Sequence, residues 1–553
     1  MNFPFSFRPK IVDALKHYSA RKFYADFTAG VTVGIVALPL SMALAIASGL
    51  PPQIGLFASV IAGLCVAVFG GSRVQIGGPA GAFVPLLAPI VTRHGPEALV
   101  VCALMAGIIL VVLGACKLGS LIKYIPFPVV TGFTSGIAII IMSTQIRDFF
   151  GLHEKLPPDF IGKLQMLTVH FHPQWPTVAL GMACTLAIWF WPKKIGHRIP
   201  GSMVVVTLAG IASALFNLPE KFGIQTLGTQ FGDMPRALPG PHWPGLTFEE
   251  WRSLVPAAMT VAVLGAIESL LSAVVSDGMI DDRHDSNQEL MGQGIANIAM
   301  GIFGVMPATG VIARTATNIR CGGRTPVAAI VHSLTVLVIL MAAAPLAKHI
   351  PMAALSAVLI VVSLRMGEWH RFRRLKYWPK SDVAVFLCAF ILTVCVDLPT
   401  AVGASLILAS ALLVARLSEL THVRADEGAP AGGGQAAIQI PRGVMVFRIF
   451  GAFFFGAADK LETALRRAGE LPDILIIRME DVLTLDATGL DALEDLLEKL
   501  RIGKKELVLC GPRSQPLFAL TRAGFIERIG EANIRGDLDD AIARAKEILA
   551  LKK

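Results

Sequence analysis

Residues 307–318, PATGVIARTATN, put Arg314 between two long apolar runs. A guanidinium at the centre of a bilayer costs at least ~2.5–3.5 kcal/mol on the most permissive scale. A compensating group is therefore expected within its reach: a bound anion, a carboxylate, or both. The second charge inside an apolar run is Glu268, in AAMTVAVLGAIESLLSAVVSDG. A carboxylate so placed is suited to carrying a proton or holding a cation through a membrane. Ser272 follows one helical turn later on the same face and can share that site. Thr315 and Ser41 offer hydroxyl donors to an anion. The structural alternative is a permanent Glu268–Arg314 ion pair.

Two interrupted segments would position these groups. In RVQIGGPAGAFVPLL, Arg73–Ile76 can be extended, and Gly77, Gly78 and Pro79 end the strand and start a helix, because proline is tolerated in a first helical turn. In PATGVIARTATNI, residues 308–312 can be extended and a helix begins near Ala313. A helix that starts inside the membrane leaves its first N–H groups unpaired and carries partial positive charge there. Two such ends facing one another form an anion site without a charged side chain, and Arg314 adds a full charge beside it. The competing reading is a pair of packing kinks, with Arg314 reaching the interface. No GxxxxGK[ST] string occurs, which argues against ATP as the energy source.

The rest of the chain supplies the surroundings. Of 553 residues, 54% are hydrophobic and 16% charged, and the mean hydropathy is +0.64. Runs of the roughly 20 apolar residues that a spanning helix needs recur from Asp26 to Arg416. The sequence predicts fourteen hydrophobic segments, beginning near Asp26, Gly55, Gly77, Pro96, Phe127, Pro176, Gly201, Leu254, Glu289, Val311, Thr325, Pro351, Ser381 and Pro399. The fold class is a polytopic α-helical membrane protein. The two short segments lie at matching places in two sets of seven, the pattern of an inverted-repeat transporter with a midplane site. The spacing places repeat one at about 26–216 and repeat two at about 254–418, within a transporter domain spanning 26–420. Residues 1–25 read as a basic, amphipathic cytoplasmic leader or an ordinary surface loop. Lys117, Lys123, Lys193, Lys194, Arg198 and the cluster Arg371–Lys380 fall in alternate loops, which places both termini in the cytoplasm. The net charge of +9 reflects those loops and does not imply nucleic acid.

After Arg416 the composition turns polar and Gly/Ala-rich, predicting a linker over 421–437. Beyond it, GVMVFRIFG, DILIIRME and ELVLCG read as strands alternating with helices, a small α/β domain over 438–553. Among other polar residues, Asp397 is expected at a helix end near the interface. Asn287 or Glu289 is expected to cap a helix, and His332 to be a satisfied core histidine. The eight cysteines are scattered, with no metal-ligand spacing.

The stretch AIESLLSAVVSDGMIDDRHDSNQELMGQGIANIAMGIFGVMPATGVIARTATNIRCGGRT resembles the signature region of the SulP sulfate-permease anion transporters. GVTVGIVALPLSMALAIASG, QIGGPAGAFVP and GFTSGIAIIIMSTQIRDFFG extend the resemblance through the first half, and the tail resembles a STAS domain. The resemblance implies seven-plus-seven inverted repeats divided into core and gate, dimers, and a substrate site between the third and tenth half-helices. By motif match it places Gly78, Pro79 and Ala80 at one half-helix end and Ala313, Arg314 and Thr315 at the other. Relatives often have Ser-Arg-Ser or Ser-Arg-Thr there, so Ala313 removes one side-chain contact. Glu268 falls where prokaryotic relatives carry a coupling Glu or Asp. Sodium-coupled bicarbonate importers of the family have Asp there and Thr where Ser272 stands. In the tail, TLDATGLDAL matches the STAS loop–helix motif and puts Thr488 where some STAS proteins carry a phosphorylated hydroxyl; a helix-start role is the alternative. Similar STAS domains imply acyl carrier protein as a possible partner.

The function expected is secondary active transport, not enzymatic catalysis: proton-coupled import of a small anion, a C4-dicarboxylate or sulfate, with bicarbonate also open, by alternating access. The alternatives are a sodium-coupled bicarbonate importer and an uncoupled anion exchanger or channel. A neutral-base permease would leave Arg314 without a purpose. No cofactor is expected beyond the coupling ion, H+ or Na+. The expected setting is a bacterial inner membrane, as a homodimer.

Overall fold

The computed structural model describes residues 7–552 except 17, 121–124, 155, 158, 170, 193–199, 242, 426–438, 454 and 468–471. Lys123, Lys193, Lys194, Arg198 and most of the expected linker therefore lie outside the described residues.

Fourteen helices or half-helices correspond to the fourteen apolar segments. They are α1 (Ala20–Ala47), α2 (Pro52–Phe69), α3 (Val84–His94), α4 (Glu97–Ala115), α5 (Phe127–Thr144), α6 (Trp175–Trp189) and α7 (Gly201–Phe216) in the first set. The second set is α8 (Phe248–Ile280), α9 (Ser286–Ile302), α10 (Ile312–Arg320), α11 (Val327–Ala347), α12 (Met352–Met366), α13 (Lys380–Cys395) and α14 (Leu398–Leu420). Eight of them are long and apolar enough to cross a membrane unaided. Helix starts follow local chemistry. Ser19 caps α1, Pro52 opens α2, and Thr247 with Glu250 forms a reciprocal capping box on α8. Because α1 starts at Ala20, it takes in the last residues assigned to the leader.

The packing carries the repeat. Shifting each helix number by seven turns one packed pair into another. Pair α1–α11 becomes α8–α4, α4–α9 becomes α11–α2, and α5–α13 becomes α12–α6, while α2–α9 and α5–α12 map onto themselves. Seven crossings reverse the chain's direction, so the second set runs inverted. The pairs separate one group, α1–α4 with α8–α11, from another, α5–α7 with α12 and α13. The two groups meet through α1 against α7 and α12 and through α3 against α5. Pair α4–α9 comes close because Gly107 and Gly294 face each other. A Cβ on Gly107 would lie 2.7 Å from the Gly294 carbonyl oxygen, and one on Gly294 would lie 2.6 Å from that of Gly107.

Two buried carboxylates brace the interrupted segments. Glu289 accepts from the N–H groups of Gly71 (2.8 Å) and Ser72 (3.0 Å), just before the first break. Asp26 accepts from the N–H groups of Arg324 (2.8 Å) and Thr325 (3.2 Å), just after α10. Contrary to the expectation from sequence, neither Asn287 nor Glu289 caps α9. Asp285 does, accepting from the N–H groups of Asn287 and Gln288. Its shorter side chain reaches the first turn, which frees Glu289 to cross to the neighbouring loop.

Residues 408–553 form a separate compact unit. Its sheet runs β3 (His422–Ala425), β4 (Val444–Phe453), β5 (Ile474–Leu485), β6 (Glu506–Cys510), β7 (Ile534–Arg535) in spatial order, antiparallel at β3–β4 and parallel elsewhere. β3 lies inside the stretch expected to be linker. It is a four-residue edge strand with largely exposed side chains, so it has no apolar pattern to betray it. Alternation along the strands splits the core. Leu475 and Ile477 pack with Leu493 and Leu497 of α15 (Ala487–Ile502) on one face. Ile474 and Ile476 pack with Ile542 and Ala545 of α16 (Leu538–Leu551) on the other.

Candidate anion site

The two breaks come together as a short antiparallel ladder, β1 (Gly77–Gly78) against β2 (Thr309–Gly310), pairing Gly77 with Gly310 and Gly78 with Thr309. Extended backbone inside a membrane needs every polar group satisfied within the protein, and the surrounding side chains do this. Val311 N–H donates to the Ile76 carbonyl (2.9 Å). Asn297 accepts from the Ala308 N–H and donates to its carbonyl (3.2 and 2.9 Å). Asn318 donates to the Val74 carbonyl, Gln75 to that of Ser269, and Thr309 to that of Gly265. These polar residues brace the site, and sequence reasoning missed them. Their signal was a lone amide or hydroxyl inside an otherwise apolar run.

From this ladder each chain turns into a helix start. The first begins with the 3-10 turn Gly81–Phe83 leading into α3, the second at Ile312. Neither has a side-chain cap. The N–H groups of Gly81 and Ala82, and of Ile312, Ala313 and Arg314, have no acceptor among the described residues. Gly81 and Ile312 are half-buried and Ala313 is exposed, whereas Gly78, Pro79 and Ala80 are buried. The open part of the first end thus lies one residue beyond the trio that the sequence singles out.

Arg314 is 1% exposed and points away from that opening. Its guanidinium donates to Ser59 Oγ (Nη1, 2.9 Å) and Ser41 Oγ (Nη2, 2.8 Å), and the two hydroxyls lie 2.7 Å apart. Ser41 Oγ also donates to the Ala37 carbonyl (2.6 Å). Its single proton is thereby engaged, and Ser41 holds Arg314 instead of facing the opening. No ion pair joins Glu268 to Arg314 among the described residues; the serines of α1 and α2 accept from Nη1 and Nη2, and the buried Nε has no partner there.

Thr315 links three elements. Its Oγ1 accepts from the Ile76 N–H (3.1 Å) and from Ser272 Oγ (3.4 Å). On α8, Gly265, Glu268 and Ser272 share one face. A Cβ on Gly265 would lie 3.5 Å from the Phe83 ring at the first helix start. Ser272 touches Thr315 at the second. Glu268 stands between them along the helix, half-buried and without a hydrogen bond or ion pair among the described residues.

His332 on α11 is fully buried, but neither ring nitrogen has a hydrogen-bond partner, contrary to the expectation of a satisfied core histidine. A Cβ on Gly63 would lie 3.2 Å from its Nδ1; the backbone of α2 crowds the ring and offers it no acceptor. Asp397 is exposed and accepts from the Thr400 N–H at the start of α14. In the C-terminal unit Thr488 is exposed in the first turn of α15, whose cap is Asp486 accepting from the Gly489 N–H (2.8 Å).

Comparison with known proteins agrees with this architecture. Residues 23–389 match the model of the sulfate permease family, and residues 435–541 match that of the STAS domain. The chain is 38% identical to the putative sulfate transporter YvdB of Bacillus subtilis (strain 168), over 93% of this chain and 96% of that one. It is 27% identical to the bicarbonate transporter BicA of Picosynechococcus sp., over 92% of each. Among solved structures, SLC26A9 superposes with a TM-score of 0.88 at 17% identity, covering 98% of this chain and 93% of that one, a likeness of fold. The transmembrane domain of a cyanobacterial BicA superposes with a TM-score of 0.62 at 29% identity, covering 71% and 98%. Inverted spans, a bridged pair of half-helices and a C-terminal STAS domain thus come together in one polypeptide, a membrane transporter of the sulfate permease family.

Proposed function

We propose that this transporter imports a small anion together with a proton. The anion, a C4-dicarboxylate or sulfate, docks at the uncapped helix starts around Gly81 and Ala313, with Arg314 as a fixed positive charge behind them. The observation that carries the reading is the position of Glu268 between Phe83 and Thr315 on one stripe of α8. An ionised carboxylate there competes with the anion for the same donors, and protonation removes the competition. Each negative charge entering a negative interior is opposed by ~2.3 kcal/mol per 100 mV. One proton offsets half of that for a dianion, so accumulation of a dianion requires a second proton or entry as a monoanion. The reading places both termini in the cytoplasm of a bacterial inner membrane, in a homodimer whose STAS domain is open to partners such as acyl carrier protein.

A second reading follows from the relatives named as bicarbonate transporters. In it, Glu268 and Ser272 hold Na+ and the anion is bicarbonate. Uptake of labelled succinate, sulfate and bicarbonate into proteoliposomes, under separately imposed pH and sodium gradients, decides between the two. Proton coupling predicts accumulation driven by an inward proton gradient and lost in Glu268→Gln. Accumulation that follows sodium alone, or a Glu268→Gln variant that still responds to pH, overturns it.

A further inference from the structure

A cavity of about 350 Å³ lies away from the anion site, between the two helix groups. One wall is Met42, Leu56 and Leu340 on α1, α2 and α11; the other is Val206 and Gly210 on α7. At the His349–Ile350 end a bridge joins Thr226 to Pro351, with Leu227 N–H donating to the Ile350 carbonyl and Met352 N–H to that of Gln225. The volume falls at the lower end of the ~300–1,000 Å³ range of ligand pockets. An apolar void stays dry, and leaving it empty forfeits the dispersion contacts of its lining.

The mouth shows what fills it. Ile211 (50% exposed) and Leu346 (70% exposed) flank the cavity and continue into the outward apolar surfaces of α7 and α11, which carry Leu208, Leu215, Val338 and Met341. That surface faces the bilayer, so the medium at the mouth is acyl chain. At the rim His349 lines the cavity beside exposed Lys348, an imidazole N–H donor and an ammonium where a headgroup would lie.

We propose that the cavity binds one acyl chain of an anionic phospholipid, with its headgroup at Lys348 and His349. The chain lies between α7 and the α1–α2–α11 wall, so it bears on both helix groups at once. A lipid that fits only one arrangement of the two groups biases the transporter towards that arrangement, by its difference in affinity between the states. The proposal rests on transport by relative movement of the two groups, but not on the identity of the anion or coupling ion.

The test reconstitutes the full chain in vesicles of phosphatidylethanolamine and phosphatidylglycerol containing a phosphatidylglycerol with a photoactivatable acyl chain. Labelled peptides are mapped by mass spectrometry. Labelling is expected within residues 203–214 and 339–350. It should fall at least about tenfold in Gly210→Leu/Ala343→Phe, which fills the cavity, and in parallel, though less, in Lys348→Gln. A Cβ at Gly210 meets Ile350 only at 3.5 Å, so the filled variant has room to fold, and its elution and melting profile verify that it does. Labelling spread evenly over all lipid-facing helices, labelling unchanged by filling, or a cross-link to a second copy in place of lipid overturns the proposal. None of these readouts involves substrate or pH, so failure of the import reading leaves this one standing, and the reverse.

Discussion

Arg314 passes so close to Gly78 that a Cβ there would sit 2.4 Å from Nη1 and 3.3 Å from Cζ. The only residue that fits under the guanidinium is one without a side chain. Gly78→Ala should therefore push Arg314 off Ser59 while leaving the β1–β2 pairing possible. Overpacking of this kind costs ~1–3 kcal/mol. The expected outcome is a lower melting temperature in detergent together with weaker anion binding by calorimetry. Unchanged values for both would show that the contact has slack.

The serine pair should matter more for the charge than for the helices. Ser41→Ala with Ser59→Ala removes both acceptors from a guanidinium that is 1% exposed. Each unsatisfied buried donor costs ~1–3 kcal/mol. Adding Arg314→Met to that double variant should restore thermal stability but not anion affinity. Arg314→Lys should not substitute, because an ammonium lacks the fork that spans two hydroxyls. Thermal melts and binding isotherms on the same preparations separate the two effects.

Thr315→Val leaves the Ile76 N–H without its acceptor and disconnects Ser272. A loss of ~1–3 kcal/mol in stability is expected, with Thr315→Ser close to wild type. Ser272→Ala should destabilise far less, because its bond is long. Equal melting temperatures for the valine and serine variants would contradict the bridging role of the hydroxyl.

Cys510 in the STAS domain makes a pH prediction. Burial, reinforced by the adjacent Glu480 carboxylate, pushes its thiol up to about 12. An unfolded thiol ionises near ~8.5. The folded state thus keeps its proton where the unfolded state has lost it. The associated stability is complete below that unfolded value and declines as pH rises towards 12. In the native protein Cys510 should resist maleimide at pH 8 while exposed Cys116 reacts; Cys510 should become reactive on unfolding. Cys510→Ala should flatten the alkaline decline, as read by urea titration of the protein at pH 8 and pH 10.5.

Much of the membrane architecture was legible because burial in lipid forces long apolar runs and leaves little else to encode. The two breaks stood out for the opposite reason: Gly-Gly-Pro and Pro-Ala-Thr-Gly interrupt runs that should otherwise continue. What the sequence hid were partners. Glu268 and Arg314 are the two charges inside apolar runs, and pairing them was reasonable on charge alone. Only the folded structure reveals that Ser59 and Ser41 accept from Nη1 and Nη2 of the arginine. Glu289 looked like a cap because it sits in a first turn, and the loop it braces is more than 200 positions away. Strand β3 was invisible because an exposed edge strand has no alternation of apolar residues to read.

The β1–β2 ladder also bears on how the protein is made. Gly77 and Gly78 leave the ribosome some 230 residues before Thr309 and Gly310. Until the later pair arrives, the first half sits in the bilayer with an unpaired strand edge, and no soluble neighbour can take its place. Biosynthesis must shelter that edge. A fragment comprising only residues 1–216 should linger with the insertion machinery or be degraded, and co-expression of the missing half should rescue it.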